Sequence, residues 1–171
     1  MTGHLALIGL TGPRAWTDVQ RLEGALLCVW HDALQIGYAG VELMQGCAEG
    51  ADTIGDQWAR RNGILVRERP ADWDGPCGPS CQPGHRRRNR RGSEFCPLAG
   101  HRRNQQMVDE KPVLFVAATM RCTAAKCTGK APHDSHGATD CMRRAAAAGI
   151  PVLTVAASQG EHPRGSEAPY P

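Results

Sequence analysis

Short apolar runs alternate along this chain with longer segments whose apolar residues recur at helical spacing, and no other sequence feature limits the fold as strongly. Such short runs are typical of buried strands, whereas a three-to-four-residue spacing is typical of amphipathic helices. The predicted strands lie at residues 5–10, 41–44, 64–66, 113–118 and 152–155. The predicted helices lie at residues 19–34, 51–62, 102–110 and 139–148. This order indicates an α/β fold, a doubly wound parallel sheet of about five strands with helices on both faces.

Two segments interrupt the alternation, at residues 74–98 and 121–134, and both contain Gly and Pro residues that favour turns. We therefore predict a single domain over residues 1–157 that carries two insertions. Residues 158–171 contain three prolines and no periodic apolar residues, so a flexible tail is predicted there.

The apolar runs also limit where the protein can reside. None approaches the roughly 20 residues that a membrane-spanning helix needs. The first residues lack the basic start, long apolar stretch and small-residue cleavage site of a secretory signal. We therefore expect a cytoplasmic protein with no membrane partner. The oligomeric state stays open, and a homo-oligomer is one of the alternatives.

The positive charge is concentrated in one segment. The formal net charge is +3, but residues 86–103 hold seven arginines against a single acid, Glu94. A basic segment on a mildly acidic body favours an anionic partner such as a phosphate, a nucleotide or a nucleic acid. A solvated Arg-rich loop is the alternative.

Eight cysteines are many for a cytoplasmic chain, where thiols stay reduced, so clustered cysteines indicate a metal site before a disulfide. The first insertion contains Cys77-x3-Cys81-x3-His85-x10-Cys96. Three thiolates and one imidazole form a closed tetrahedral set for Zn²⁺, which is typical of a structural site. Free thiols in a flexible loop are the alternative.

The second insertion offers a looser set, Cys122-x4-Cys127-x5-His133-x2-His136. It fits a second zinc site, part of a ligand lid, or neither. His136 also falls within a predicted phosphate-binding loop, and one side chain cannot easily serve both roles. The remaining cysteines lie singly in apolar or helical patterns and are predicted to be small buried residues: Cys28, Cys47 and Cys141.

Polar, Gly-bearing loops follow the first, second and fourth predicted strands. In a parallel sheet these loops meet at the carboxyl edge, where exposed helix amides favour anions. Each loop also has a structural interpretation, as a turn, a helix cap or a partner of the helix dipole. The candidates are Gly12 and Arg14 in the first loop, Gly46, Gly50 and Asp52 in the second, and Ser135, Gly137 and Thr139 in the last.

Five short motifs follow one another along the chain. They are Thr11-Gly12-Pro13-Arg14-x-Trp16-Thr17-Asp18, then Gly46-Cys47-Ala48-Glu49-Gly50-Ala51-Asp52, Ala71-Asp72-Trp73, Ala99-Gly100-x-x-Arg103-Asn104-x-x-Met107-Val108, and Ser135-x-Gly137-x-Thr139. In this order they resemble the YspA-like branch of the SLOG superfamily, whose Rossmann-like domains include DNA-processing protein A and the LOG phosphoribohydrolases. The resemblance covers residues 5–155 apart from the two insertions, and it implies a Rossmann-like fold.

The resemblance also implies a ligand, which is a nucleotide or a nucleotide-derived molecule such as ADP-ribose. The residues that it implies as contacts are Gly12, Arg14, Gly46, Gly50, Asp52, Arg103, Asn104, Ser135, Gly137 and Thr139. It does not imply a reaction, because the LOG loop P-G-G-x-G-T-x-x-E has no counterpart at residues 134–139. Trp16 and Trp73 flank the motif loops and fit either base stacking or core packing.

Three functions therefore stay open. The first is a nucleotide-binding protein that senses, sequesters or processes its ligand, with the arginines at 86–91 as a lid over the pocket. The second is an enzyme that cleaves an N-glycosidic or phosphoester bond of the ligand, with Asp52, Asp72 or Asp140 assisting a water molecule. The third is a nucleic-acid-binding protein whose zinc loop and Arg run make the contact.

Overall fold

The computed structural model describes residues 3–123, 127–129 and 133–158. Five strands form one parallel sheet in the order β3-β2-β1-β6-β7. These strands are β1 (Leu5–Thr11), β2 (Gly40–Gln45), β3 (Leu65–Glu68), β6 (Leu114–Thr119) and β7 (Val152–Ala156). A two-stranded antiparallel hairpin, β4 (Arg87–Arg88) and β5 (Glu94–Phe95), lies in the first insertion. The predicted fold class is confirmed.

Helices cover both faces of the sheet, because successive strand residues point to opposite sides. The helices are α1 (Val19–Gln35), α2 (Ala51–Arg61), α3 (Ala99–Asp109) and α4 (His136–Ala147). Ala6, Ile8 and Leu10 of β1 face α1 and α2, whereas Phe115 of β6 and Met44 of β2 face α3 and α4. In the described part of the chain, no helix is long and apolar enough to span a membrane.

Two helices begin earlier than the sequence pattern predicts. Helix α3 begins at Ala99 rather than Arg102, and α4 begins at His136 rather than Thr139. Apolar periodicity missed the first turn of each helix because those turns lie at the sheet edge and carry polar or small residues. Both turns therefore belong to the site described below.

Two predictions about single residues are wrong. Cys28 lies on the solvent-facing side of α1, and Cys47 lies exposed in a loop with φ of 57°; only Cys141 of the three is buried. An isolated cysteine in an amphipathic pattern does not reveal which face it occupies. Of the predicted tail, Ser158 donates a hydrogen bond to the Asp18 carboxylate at 2.7 Å, and residues 159–171 lie outside the described residues.

Gly9 in the central strand allows the close packing of Phe115. A Cβ placed at Gly9 would lie 2.3 Å from Phe115 Cε1, and Phe115 is fully buried. An aromatic ring that is packed on all sides can be displaced only at a large cost in free energy. The packing of Phe115 therefore requires glycine at position 9.

Gly9→Ala is therefore expected to lower the free energy of unfolding by about 1 to 3 kcal/mol, because the new methyl group overpacks the core. Urea unfolding of the purified variant measures this change. Gly24→Ala is the matched control: Gly24 is exposed on α1 with open space around it, so the alanine should raise stability by up to about 1 kcal/mol. Equal stability of the two variants would contradict the assignment.

Candidate functional site

The sheet order creates a crevice between β1 and β6. The chain leaves β1 toward β2 and leaves β6 toward β7, so the two loops diverge, and ligands of doubly wound sheets bind at such a point. A cavity of about 380 Å³ lies at this carboxyl edge, between the loops after β1 and β6 and the first turns of α2, α3 and α4.

Most of the predicted ligand contacts line this cavity. They are Gly12, Arg14, Asp52, Arg103, Asn104, Ser135 and Gly137. Trp16 does not line it: the side chain is 2% exposed in the core, and its Nε1 donates to the Asp18 carbonyl oxygen at 3.0 Å. Thr139 is exposed and lines a neighbouring cavity instead.

Gly46 and Gly50 shape the cavity without lining it. A Cβ at Gly46 would lie 1.1 Å from Arg103 Nη1, so only glycine leaves room for that guanidinium. Gly50 has φ of 75°, and a Cβ there would lie 2.5 Å from the carbonyl oxygens of Pro13 and Arg14. Both glycines are therefore needed for contacts between loops.

A buried carboxylate and a guanidinium whose side chain is 15% exposed meet at the cavity. Asp52 is 4% exposed, and its Oδ2 accepts from the backbone N–H of Gly46 at 3.1 Å and of Ala48 at 3.2 Å. The same oxygen lies 3.7 Å from Arg103 Nη1. Burial raises the pKa of Asp52 to about 6, and Arg103 and the two amides oppose that shift.

Two buried polar atoms in the residues around the cavity lack a hydrogen-bond partner within the described residues. They are Arg103 Nη1 and Ser135 Oγ. Buried polar groups are almost always hydrogen-bonded, because an unsatisfied group costs about 1 to 3 kcal/mol. Both atoms belong to residues that line the same cavity.

A second polar network joins α3 to α4 beside the cavity. Asn104 Nδ2 donates to Asp140 Oδ2 at 3.0 Å and to the Gly137 carbonyl oxygen at 3.3 Å. Burial acts to raise the pKa of Asp140, but hydrogen bonds from Arg144, Asn104, His101 and Arg143 outweigh it and hold the pKa well below its usual range. Asp140 is therefore an ionised structural acceptor that fixes the two helices.

Of the three acids predicted to assist a water molecule, only Asp52 lines the cavity. Asp140 is 6% exposed and bound by its network. Asp72 is exposed and accepts from the Gly75 N–H at 2.9 Å, which is the geometry of a local turn. Of these three carboxyl groups, one therefore lies at the cavity and two make structural contacts.

The outer wall of the cavity contains an aromatic ring and a cation. Arg14 Cζ lies 5.9 Å from the centroid of the Trp73 ring, within the range of a cation–π interaction. Trp73 also packs against Gly100 of α3, where a Cβ would lie 3.3 Å from the ring. Trp73, rather than Trp16, is the tryptophan available to a ligand.

The arginines at 86–91 do not line this cavity, so the predicted lid is not formed by them. Arg86 is held within the insertion, where it donates to the carbonyl oxygens of Gly75, Asp74 and Glu94. Arg87 lines the neighbouring cavity. Arg87 and Arg88 belong to the antiparallel hairpin instead, and charge pattern alone could not reveal which residues line the cavity.

The structure brings the first Cys/His set together: the ligand atoms of Cys77, Cys81, His85 and Cys96 all lie within 4.8 Å of one another. Cys81 Sγ and Cys96 Sγ are 3.8 Å apart, and Cys77 Sγ lies 3.5 Å from His85 Nε2. A tetrahedral Zn²⁺ would require about 3.8 Å between two sulfurs and about 3.6 Å between sulfur and nitrogen. These four residues could therefore hold a metal ion.

Neighbouring groups orient His85 and stabilise the thiolate form of Cys96 in this set. His85 Nδ1 lies 2.7 Å from the Gln82 carbonyl oxygen, and its Nε2 faces the sulfurs of Cys77 and Cys96. Arg102 Nη1 donates to Cys96 Sγ at 3.1 Å. Hydrogen bonds from His85 and then Arg102 lower the pKa of the Cys96 thiol to about 6, because both stabilise the thiolate.

The first set lies directly before helix α3. The Cys96 N–H donates to the Trp73 carbonyl oxygen at 2.9 Å, and the Cys96 carbonyl oxygen accepts from the Ala99 N–H at 3.1 Å. Cys96 therefore fixes both the aromatic wall and the first turn of the helix that carries Arg103. The insertion contributes to the cavity through this backbone rather than through its arginines.

The second set is also brought together. The ligand atoms of Cys122, Cys127, His133 and His136 lie within 4.8 Å of one another. His136 takes part in both arrangements, because its Nε2 lies 3.0 Å from Cys127 Sγ and the residue also lines the cavity. The first turn of α4 is shared by both.

Fold and site together define a Rossmann-like α/β domain with a polar cavity at the switch point and two Cys/His sets beside it. Residues 8–75 match the family model described as YspA, cpYpsA-related SLOG family. This match supports the predicted assignment to the YspA-like SLOG proteins, and it runs from within β1 to beyond β3, with the first two helices of the domain. No curated protein matches the sequence.

A solved structure supports the fold. The X-ray structure of DNA processing protein A from Streptococcus pneumoniae matches with a TM-score of 0.56 and 14% sequence identity. The match covers 88% of this chain and 50% of that one, so this chain spans half the length of that protein. At this identity the likeness shows the fold alone.

The raised pKa of Asp52 predicts a pH dependence of stability. Between about pH 4 and pH 6 the folded state holds a proton that the unfolded state has released, so stability should fall as pH rises through this window. The difference amounts to about 3 kcal/mol. Asp52→Asn keeps an oxygen for the two backbone amides but cannot ionise.

Urea unfolding of both proteins at several pH values tests this. The stability of the wild type minus that of Asp52→Asn should decrease between pH 4 and pH 6 and stay level above. The subtraction removes the contributions of all other titrating groups. A difference that is constant across the window would contradict a buried, desolvated Asp52.

Proposed function

We propose that the cavity binds a nucleotide or a nucleotide-derived molecule, such as a nucleoside phosphate or an ADP-ribose-like metabolite. The observation that carries this proposal is the pair of unsatisfied buried groups, Arg103 Nη1 and Ser135 Oγ, around a cavity of about 380 Å³ at the switch point of the sheet. An anionic group that reached these atoms would supply the hydrogen-bond acceptors that both lack.

The phosphate would lie at the first turn of α4. Ser135 is the N-cap of this helix, and Gly137 lies in its first turn. Exposed helix amides and the positive end of the helix dipole favour a phosphate there. Arg103 would supply a charged hydrogen bond, and Trp73 a face on which a base can stack. The protein would sense, sequester or process this ligand.

We further propose that Cys77, Cys81, His85 and Cys96 hold a structural Zn²⁺. Three thiolates and one imidazole fill all four positions, so the ion has no open position for catalysis. The insertion has few apolar residues to stabilise it, and the ion would supply that stability. Its contribution to the cavity is the placement of Trp73 and of the first turn of α3.

A specific observation favours a second candidate function, which is binding of nucleic acid. Arg87, Arg88, Arg90 and Arg91 are exposed on the hairpin of the first insertion, outside the cavity. Such a basic surface could contact a phosphate backbone without involving the cavity. An N-glycosidic or related hydrolase acting on the nucleotide is the third, with Asp52 as the acid nearest the ligand.

The proposed function is tested with AMP and ADP-ribose as probes in isothermal titration calorimetry. Arg103→Met should weaken the binding of the probe about 10- to 100-fold, because a charge-assisted hydrogen bond is lost. Ser135→Ala should weaken it less. Arg90→Ala is the matched control and should bind like the wild type, because Arg90 is exposed and outside the cavity.

The same samples distinguish the three candidate functions. Chromatography of the probe after incubation reports cleavage, which would support the hydrolase. Binding of single-stranded DNA that weakens steeply with salt and is lost when Arg87, Arg88, Arg90 and Arg91 are all replaced by Ala would support nucleic-acid binding. Failure of both probes to bind, or equal binding by Arg103→Met, would overturn the proposed pocket.

Zinc in the first set is tested by elemental analysis of purified protein. Cys77→Ser should lose one equivalent of zinc and should lower the melting temperature, because the insertion loses its cross-link. Cys28→Ser is the matched control, since Cys28 is exposed on α1 far along the chain from either set. Equal zinc content in the two variants would contradict the assignment.

A further inference from the structure

The second Cys/His set lies at the edge of the cavity, and we propose that it is a second metal site. Its four ligand atoms, from Cys122, Cys127, His133 and His136, suit a borderline-soft divalent cation such as Zn²⁺. Two thiolates and two neutral imidazoles around a divalent ion make a site with no net charge. The site is thus distinct from the three-thiolate set, which has Arg102 against its sulfurs.

Three of the four ligand atoms lie in mutual contact. Cys127 Sγ lies 3.2 Å from His133 Nε2 and 3.0 Å from His136 Nε2, and the two nitrogens are 3.2 Å apart. Three such atoms in mutual contact compete for the same protons. A central cation would bind all three, and tetrahedral zinc would place the nitrogens about 3.3 Å apart and move the sulfur outward, to about 3.6 Å from each nitrogen.

The backbone holds these ligands in place independently of the side chains. The Cys122 N–H donates to the His133 carbonyl oxygen at 2.8 Å, and Arg121 and Asp134 form an antiparallel bridge. The Ser135 N–H donates to the Met120 carbonyl oxygen at 3.1 Å. Residues 120–122 are therefore paired with residues 133–135, which brings the first ligand beside the last two.

A further backbone contact marks Cys127 as an acceptor. The Gly129 N–H lies 3.4 Å from Cys127 Sγ and donates to it. A Cβ at Gly129 would lie 2.8 Å from His133 Cε1, so the turn fits closely against the imidazole. An N–H that points at sulfur stabilises the thiolate, which is the form that binds metal.

The site would form part of the wall of the cavity. Cys122 and His136 both line it, and Ser135, with its unsatisfied Oγ, lies between His133 and His136. A metal ion would therefore fix the loop that presents Ser135 to a phosphate. This coupling, which rests on the proposed function, requires that ligand and metal each strengthen the binding of the other by the same factor.

The metal site is tested by zinc analysis of the full chain and four variants. The wild type should hold two equivalents, Cys127→Ser one, and Cys77→Ser the one that belongs to the second set. His136→Ala is the second variant, in case Cys127→Ser does not fold. Cys47→Ser is the control, because Cys47 is exposed and outside both sets. It should retain two equivalents.

The proposal is overturned if Cys77→Ser holds no zinc while folded, or if Cys127→Ser and His136→Ala both keep the wild-type content. Calorimetry with AMP then tests the coupling separately. Cys127→Ser should bind AMP at least about fivefold more weakly than Cys47→Ser. If AMP binds to none of the proteins but the zinc counts are as expected, the proposed function fails and the metal site stands.

Discussion

The geometry of the cavity depends on one buried ion pair, between Asp52 at the start of α2 and Arg103 on α3. The two groups come from elements far apart in the sequence, and both are removed from solvent, which is costly unless each is well partnered. Asp52 obtains its partners from the amides of Gly46 and Ala48, and Arg103 donates through Nε to Asn104. One guanidinium nitrogen stays unsatisfied, and a bound anion would complete the arrangement.

The two insertions hold the helices that meet at this point. The first Cys/His set ends at Cys96, three residues before α3 begins, and the second ends at His136, the first residue of α4. Neither insertion has enough apolar residues to form a core of its own, so metal–ligand bonds would take the place of hydrophobic burial. Metal ions bound in the two Cys/His sets would hold the first turns of α3 and α4 in place. They would thereby keep Arg103 and Ser135 at a constant separation.

Much of this arrangement follows from sequence patterns, because strands, helices and metal-ligand spacings are local signals. The five strands, the loops at their carboxyl ends and both Cys/His sets could all be predicted. The direction in which each side chain points could not be predicted. Trp16 and Trp73 flank motif loops alike, and only tertiary packing places one in the core and the other at the cavity. The sequence places Gly46 among the predicted ligand contacts, whereas the structure shows a glycine that makes room for Arg103, a contact across 57 residues that no local pattern records.

The central claim is that an anion completes the site between Arg103 and Ser135, and a crystal structure of the protein grown with AMP tests it most directly. The account predicts electron density for the phosphate within hydrogen-bond distance of Arg103 and Ser135, at the first turn of α4, with the base near Trp73. Density for the phosphate on the exposed arginines of the hairpin, with the cavity filled only by water, would contradict it.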